Sequence, residues 1–174
     1  MLVQADLTTW LQDIYRLDYL PLFSLAGGLT SNADAANAWA NAYSRYAATA
    51  TAAGATVIPA GLVPAEQQLA NKLTTCFSST AIPLNTLTTQ IATAVGTFWL
   101  GDPTGTPPTT PQAFAVGVVT STPAIGILAN ALEAYWTAPY ESNNNVNAAT
   151  TAGYLHTFTL TVIVTTGGGP VTLV

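Results

Sequence analysis

Apolar residues recur three and four apart along most of this chain, but proline or glycine cuts each such run before it reaches the roughly 20 residues a helix needs to cross lipid. The pattern confines the chain to short amphipathic helices packed on one another, with strands where β-branched residues gather. What those helices can show to solvent is restricted too. Of 174 residues only three are basic and eight acidic, while 49% are apolar, so the exterior has to be built largely from Thr, Ser, Asn and Ala. A chain of this length encloses one core, and one domain is expected.

Asp6 stands ahead of Leu7, Trp10, Leu11, Ile14 and Tyr15, the stripe of a first helix that Pro21 ends or bends. After the Gly27-Gly28 break, Ser31 or Asn32 offers an N-cap to a second helix, with Ala36, Trp39, Tyr43, Tyr46 and Ala50 on one face and Gly54 as its stop. Pro64 suits the first turn of a third, whose inward face is Leu69, Leu73, Cys76 and Phe77, with Glu66 near the positive end of the dipole. A fourth follows Pro83 and turns Leu84, Leu87, Ile91, Val95, Phe98 and Trp99 inward. The segment GDPTGTPPTTP after Leu100 is too rich in Pro and Gly for regular structure and reads as an exposed loop.

Residues 113–120 (AFAVGVVT) are short and β-branched, which predicts a strand. Thr122 and Pro123 fit the N-cap and first turn of a fifth helix carrying Ile127, Leu128, Leu132, Tyr135 and Trp136 inward, with Pro139 as its end. A sixth helix is expected from Val146 to about His156. Beyond it, Phe158, Leu160, Val162 and Val164 alternate with other residues at strand spacing over 157–165. The fold class expected is α+β: a mainly helical single domain of five or six helices with a few strands, one of them C-terminal. Residues 1–166 form its body, and Gly167-Gly168-Gly169 link a β-prone tail over 167–174.

Chemistry finds little to work with. His156 is the single histidine and Cys76 the single cysteine, so a nucleophilic triad would have to pass through one of them, and no glycine-framed elbow surrounds a serine. Beside Leu155 and Phe158, the histidine reads as a half-buried structural residue; Cys76 reads as a small core hydrophobe. Asp13 and Asp18, or Glu133 and Glu141, do not converge as acid pairs. The triple glycine lacks the Lys-Ser or Lys-Thr of a phosphate loop. The four tryptophans, Trp10, Trp39, Trp99 and Trp136, fall one to a helix and suit core anchoring. No enzyme, metal or cofactor is expected. Arg16, Arg45 and Lys72 are too few to neutralise a phosphate backbone, which argues against nucleic acid as a partner, and a membrane span is not expected.

Val171, Thr172, Leu173 and Val174, on their glycine link, are candidates either to fold back as an edge strand or to add to the sheet of a neighbouring subunit as inter-subunit contacts. The series DLTTWLQDIY, AWANAYSRYAATATAAG, a Phe-Trp pair before a Pro-Gly loop, VGVVTSTPAIGILANAL and HTFTLTVIVT resembles the small Ala- and Thr-rich structural proteins encoded among the virion genes of tailed bacteriophages. The resemblance spans most of the chain and lies in composition and texture. It implies a virion component made in the host cytoplasm, present in many copies at head, neck or tail, and partnered by itself or by other virion proteins. The start of the chain shows no basic, apolar secretory leader, in keeping with that expectation. The alternative is a module that binds a small ligand or glycan through exposed aromatics such as Tyr135, Trp136 and Tyr140.

Overall fold

The helices form a ring in which each packs on its neighbour in sequence and the last returns to the first. The computed structural model describes residues 1–15, 31–79, 81–138 and 144–174. Its helices are α1 (Gln4–Tyr15), α2 (Asn32–Ala47), α3 (Leu62–Ser78), α4 (Leu84–Leu100), α5 (Ile125–Thr137) and α6 (Asn144–Thr159). Its strands are β1 (Thr51–Ala52), β2 (Ala55–Thr56), β3 (Ala113–Phe114), β4 (Gly117–Ser121), β5 (Ile163–Thr166) and β6 (Gly169–Thr172). The chain is thus an α+β, mainly helical single domain. Among the described residues no helix is long and apolar enough to cross a membrane. The expectations that rest on Pro21, Gly27-Gly28, Pro139, Tyr140 and Glu141 lie outside the described residues.

The second helix follows its sequence closely. Ser31 sits in extended backbone and its Oγ accepts from the Asp34 amide at 3.2 Å, while Ala36, Trp39, Tyr43, Tyr46 and Ala50 are all buried. In α4 the expected residues Ile91, Val95, Phe98 and Trp99 are buried, and in α1 Leu7, Leu11 and Ile14 are. Trp10 is partly buried, its ring covered by the Arg45 guanidinium 4.6 Å from the centroid. Two starts differ from expectation. Helix α1 begins at Gln4, which puts Asp6 in its first turn, and α5 begins only at Ile125, so Ala124 holds the cap position with no side-chain bond and Thr122 lies ahead of it.

Strands differ more. Residues 113–120 form a hairpin, β3 turning into β4, instead of one strand. Helix α6 runs on to Thr159, so Phe158 is a buried helical residue, Leu160 is 37% exposed, and the strand begins only at Ile163. Continuation of the helix is favoured locally because Thr159 Oγ1 donates to the Leu155 carbonyl at 2.7 Å, satisfying a hydroxyl that would otherwise be stranded in the core. Gly54, expected to stop α2, instead follows Ala53 in a two-residue turn joining β1 to β2, both with positive φ.

Strands β3-β4-β5-β6 form an antiparallel sheet, and the β1-β2 hairpin bridges its two edges. On one side Val57 pairs with Phe114 and the Ile58 amide donates to Ala113 O at 2.8 Å. On the other, Thr51 and Val174 exchange both backbone hydrogen bonds at 3.0 Å. Main-chain bonds therefore run completely around a small ring of strands, with Ala52, Val57, Phe114, Val119, Val164 and Leu173 buried. Gly117 has to be glycine here. A Cβ on it would stand 2.0 Å from the Thr165 carbonyl oxygen across the β4-β5 ladder.

The tail is consequently part of the fold. Gly167-Gly168 form a tight turn whose Thr166 hydroxyl donates to Gly169 O and accepts from the Gly168 amide, and β6 pairs along β5 from Thr166↔Gly169 to Ile163↔Thr172. Leu173 is 1% exposed. Of the two roles open to Val171, Thr172, Leu173 and Val174, the structure shows pairing within their own chain. Truncation after Thr166 is therefore expected to destabilise the domain. Leu173→Ala alone should cost about 2–4 kcal/mol, read as a fall in the urea midpoint with little change in slope.

Candidate functional site

Helices α5 and α6 leave three large apolar side chains in solvent, Ile127 at 68% exposure, Val146 at 43% and Trp136 at 39%, with Leu160 just beyond the end of α6. Sequence reading placed Ile127 and Trp136 inward. The structure turns Leu128 and Leu132 inward and leaves the other two out. The reason is that α5 is apolar on more than one side, so packing against α4 buries only the Leu128–Ala129–Leu132 side.

Between the two helices lies a groove of about 310 Å³. Ala124, Ile127, Leu128 and Ala131 line it from α5 and the turn before it; Tyr154, Thr157, Phe158 and Thr161 line it from α6 and the turn after it. Each set is spaced i, i+3, i+4, i+7, so each is a single helical face. None of the eight carries a charge. Over both helices the titrating side chains are Glu133, Tyr135, Tyr154 and His156, and Glu133 is the one carboxylate. At the far end, Tyr135 and Tyr154 meet edge to face, and the Tyr135 hydroxyl hydrogen-bonds Asn147.

Behind the groove runs a buried polar relay that fixes α6. Trp99 Nε1 donates to the Tyr43 hydroxyl at 2.9 Å, Tyr43 donates to Thr159 Oγ1 at 2.8 Å, and Thr159 Oγ1 donates in turn to Leu155 O. The direction follows from counting protons, since the indole has only a donor and the threonine proton is already committed. Burial pushes the Tyr43 phenol well above its ordinary range, so it stays protonated and able to donate. One turn along, the Tyr46 hydroxyl lies 2.6 Å from His156 Nδ1, and burial likewise raises Tyr46 and lowers His156. A neutral imidazole protonated at Nε2 accepts the tyrosine hydrogen bond at Nδ1. His156 thereby acts as a positioning group for α6.

Other candidate residues are also absorbed into structure. Cys76 is buried on α3 with Sγ 3.9 Å from Gln90 Oε1, and burial raises its thiol above the ordinary range, away from thiolate chemistry. The Pro-Gly segment after α4 is irregular, as its sequence requires, yet it is pinned to α3. Gln68 Nε2 donates to the Asp102 and Pro107 carbonyls, Gln68 Oε1 accepts from buried Thr109, and Lys72 Nζ pairs with Asp102 Oδ2 at 2.9 Å. The lysine and the Thr104 hydrogen bonds hold Asp102 down to about 2. Glu66 accepts from Asn41 Nδ2 at 3.0 Å, tying α3 to α2. Among the described residues no three His, Cys, Asp or Glu side chains come together as a metal site. Asp18 and Glu141 lie outside those residues, so the two acid pairs considered from sequence are each half described.

No family model, curated protein or solved structure matches this chain.

The relay makes two predictions. Tyr43→Phe leaves the buried Trp99 N–H without its acceptor and should cost about 1–3 kcal/mol in chemical denaturation. The pH dependence follows from His156, whose folded pKa lies below the unfolded value of 6.5. Above pH 6.5 both states are neutral and stability is full; below it the unfolded chain takes up the proton first, and stability falls until the folded pKa is passed. The Asp102 contribution is lost separately, between its ordinary 3.8 and about 2. Urea midpoints should therefore drop between pH 7.5 and 5 in the natural chain, and His156→Asn should flatten that interval.

Proposed function

We propose that this protein is a non-enzymatic structural subunit that assembles with other protein by packing uncharged surfaces, as a component of a tailed-phage virion at head, neck or tail. The observation that carries the reading is the α5-α6 face. It exposes Ile127 on the wall of a groove with no charged lining, and Val146 and Trp136 elsewhere on the same two helices, so a partner can cover it without stripping water from an ion. The virion setting, with synthesis in the host cytoplasm, rests on the resemblance in composition and texture.

Strand addition supports the reading less than helix packing does. Leu173 turns its N–H toward Val162, just before β5, so Pro170 and Thr172 face away by alternation. Pro170 has no N–H to offer, and Val174, the next outward residue, is already bonded to Thr51. Only the Thr172 amide is left on that stretch as an outward donor, a poor template for an incoming strand.

The volume of the same groove also suits a small apolar ligand, with the Thr157, Thr161 and Tyr154 hydroxyls at hand to orient it. The readings separate by mass. Protein isolated from its natural source is expected to sediment with a particle or a large defined oligomer. A solitary monomer carrying a bound small molecule in native mass spectrometry would replace the assembly reading with the ligand one.

A further inference from the structure

We propose that segment 108–111, in the loop after α4, is a docking edge for a groove lined by tryptophan or tyrosine on a different protein; this deepens the assembly reading above and rests on it only for the presence of a protein partner. Proline sets the shape of the edge. Each ring fixes φ at about −65°, and Pro107 and Thr110, each followed by a proline, are held to extended or polyproline backbone. No turn or bend interrupts 108–112. Polyproline backbone has three residues per turn, so positions three apart share a side. That period is visible here. Thr109 and Gln112 are both buried, at 5% and 1% exposure, while Pro108 and Pro111 are both exposed.

The buried side is anchored throughout. Thr109 Oγ1 donates to Gln68 Oε1 at 3.1 Å and accepts from the Asp102 amide at 2.8 Å, and the Thr109 amide donates to Asp102 O at 3.0 Å. Gln112 donates through its side chain to the Phe98 and Gly61 carbonyls and through its amide to Trp99 O. Gly101, at a φ of 74°, lets the segment lie against the end of α4, since a Cβ there would stand 2.4 Å from the Thr110 carbonyl carbon. The two prolines are therefore held in place before a partner arrives, which lowers the ordering cost of binding.

The outward side decides what fits it. Pro103, Thr104, Thr106, Pro108, Thr110 and Pro111 are exposed and uncharged, and the one carboxylate of the loop, Asp102, is matched by Lys72. Exposed proline rings are rigid, apolar and without an N–H, and the surface complementary to two of them three apart is a pair of aromatic faces with a donor for a carbonyl between them. Among the described residues no hydrogen bond ends on the Pro108 carbonyl, so that acceptor is available. A second copy does not supply such a groove. Among the described residues Trp136 is the one exposed aromatic side chain, and a groove needs at least a pair.

The full chain carrying Thr110→p-benzoylphenylalanine, made in its natural source and irradiated, tests this. It is expected to cross-link to one other protein, at a segment that carries at least two tryptophan or tyrosine residues. In calorimetry with that protein, the double variant Pro108→Ala, Pro111→Ala should bind at least about tenfold more weakly than the natural chain, with its fold kept by circular dichroism because both rings are exposed. Thr110→Asp keeps both prolines, puts a charge on the edge and should weaken binding similarly. Ile127→Asp, on the α5-α6 face, should bind as the natural chain does. No cross-link, a cross-link to a second copy, or one to a segment without aromatic residues overturns the proposal, as does binding indifferent to the two prolines. The assembly reading fails separately. A particle-bound chain that gives no cross-link from position 110 refutes the edge and keeps that reading; a chain that cross-links to its aromatic partner but never enters a larger assembly does the reverse.

Discussion

The Tyr43 hydroxyl holds helices α2, α4 and α6 together by direction as well as by contact. It accepts from Trp99 on α4 and donates to Thr159 on α6, and it sits on α2, nine of whose 16 residues are buried. Much of this core is alanine, which packs helices closely but offers little shape with which to select one arrangement over another. A directional, fully satisfied buried relay provides that selection, because any slip of α6 leaves a donor unpaired in a medium where the loss is costly. Aromatic edges reinforce it, with Tyr43 against Phe98 and Phe98 against Trp99, both near perpendicular.

With α6 fixed in this way, the rest of the helical ring follows. Its C-terminal end leads directly into β5, so the position of the sheet depends on the same contacts. Helix α5 is held from the α4 side through Leu128 and Leu132, while its other apolar side stands away from α6 and opens the groove. The candidate interface is thus a consequence of core construction: α6 packs mainly on α1 and is tied by polar bonds to α2, and its contact with α5 leaves the groove open.

Helices α2 and α4 were legible in the sequence because a single apolar stripe is bounded there by clear signals, a serine cap before α2 and proline and glycine around α4. The β1-β2 hairpin was not legible, since Thr-Ala-Ala-Gly-Ala-Thr has no alternation of large apolar side chains to mark strands. Threonine misled at 157–161, where its β-branched shape favours a strand but its hydroxyl can bond back along a helix. The groove was hidden for a different reason. Periodicity reports that a helix has an apolar side and does not report which side a neighbour will leave open, so Ile127 could be found as apolar but not as exposed. The near absence of charge was the functional signal that could be read directly, and it bears on surface chemistry more than on architecture.

Residues 49–51 receive both ends of the chain. The Met1 amine donates to Thr49 O at 2.7 Å, and Val174 is paired with Thr51. Those anchors stand two residues apart in one connection, Thr49 in the turn after α2 and Thr51 at the start of β1, a gap that a few linking residues cover. Covalent closure of the polypeptide into a circle is therefore compatible with every element described. The exposed 115–116 turn between β3 and β4 then becomes a place where a permuted chain could begin.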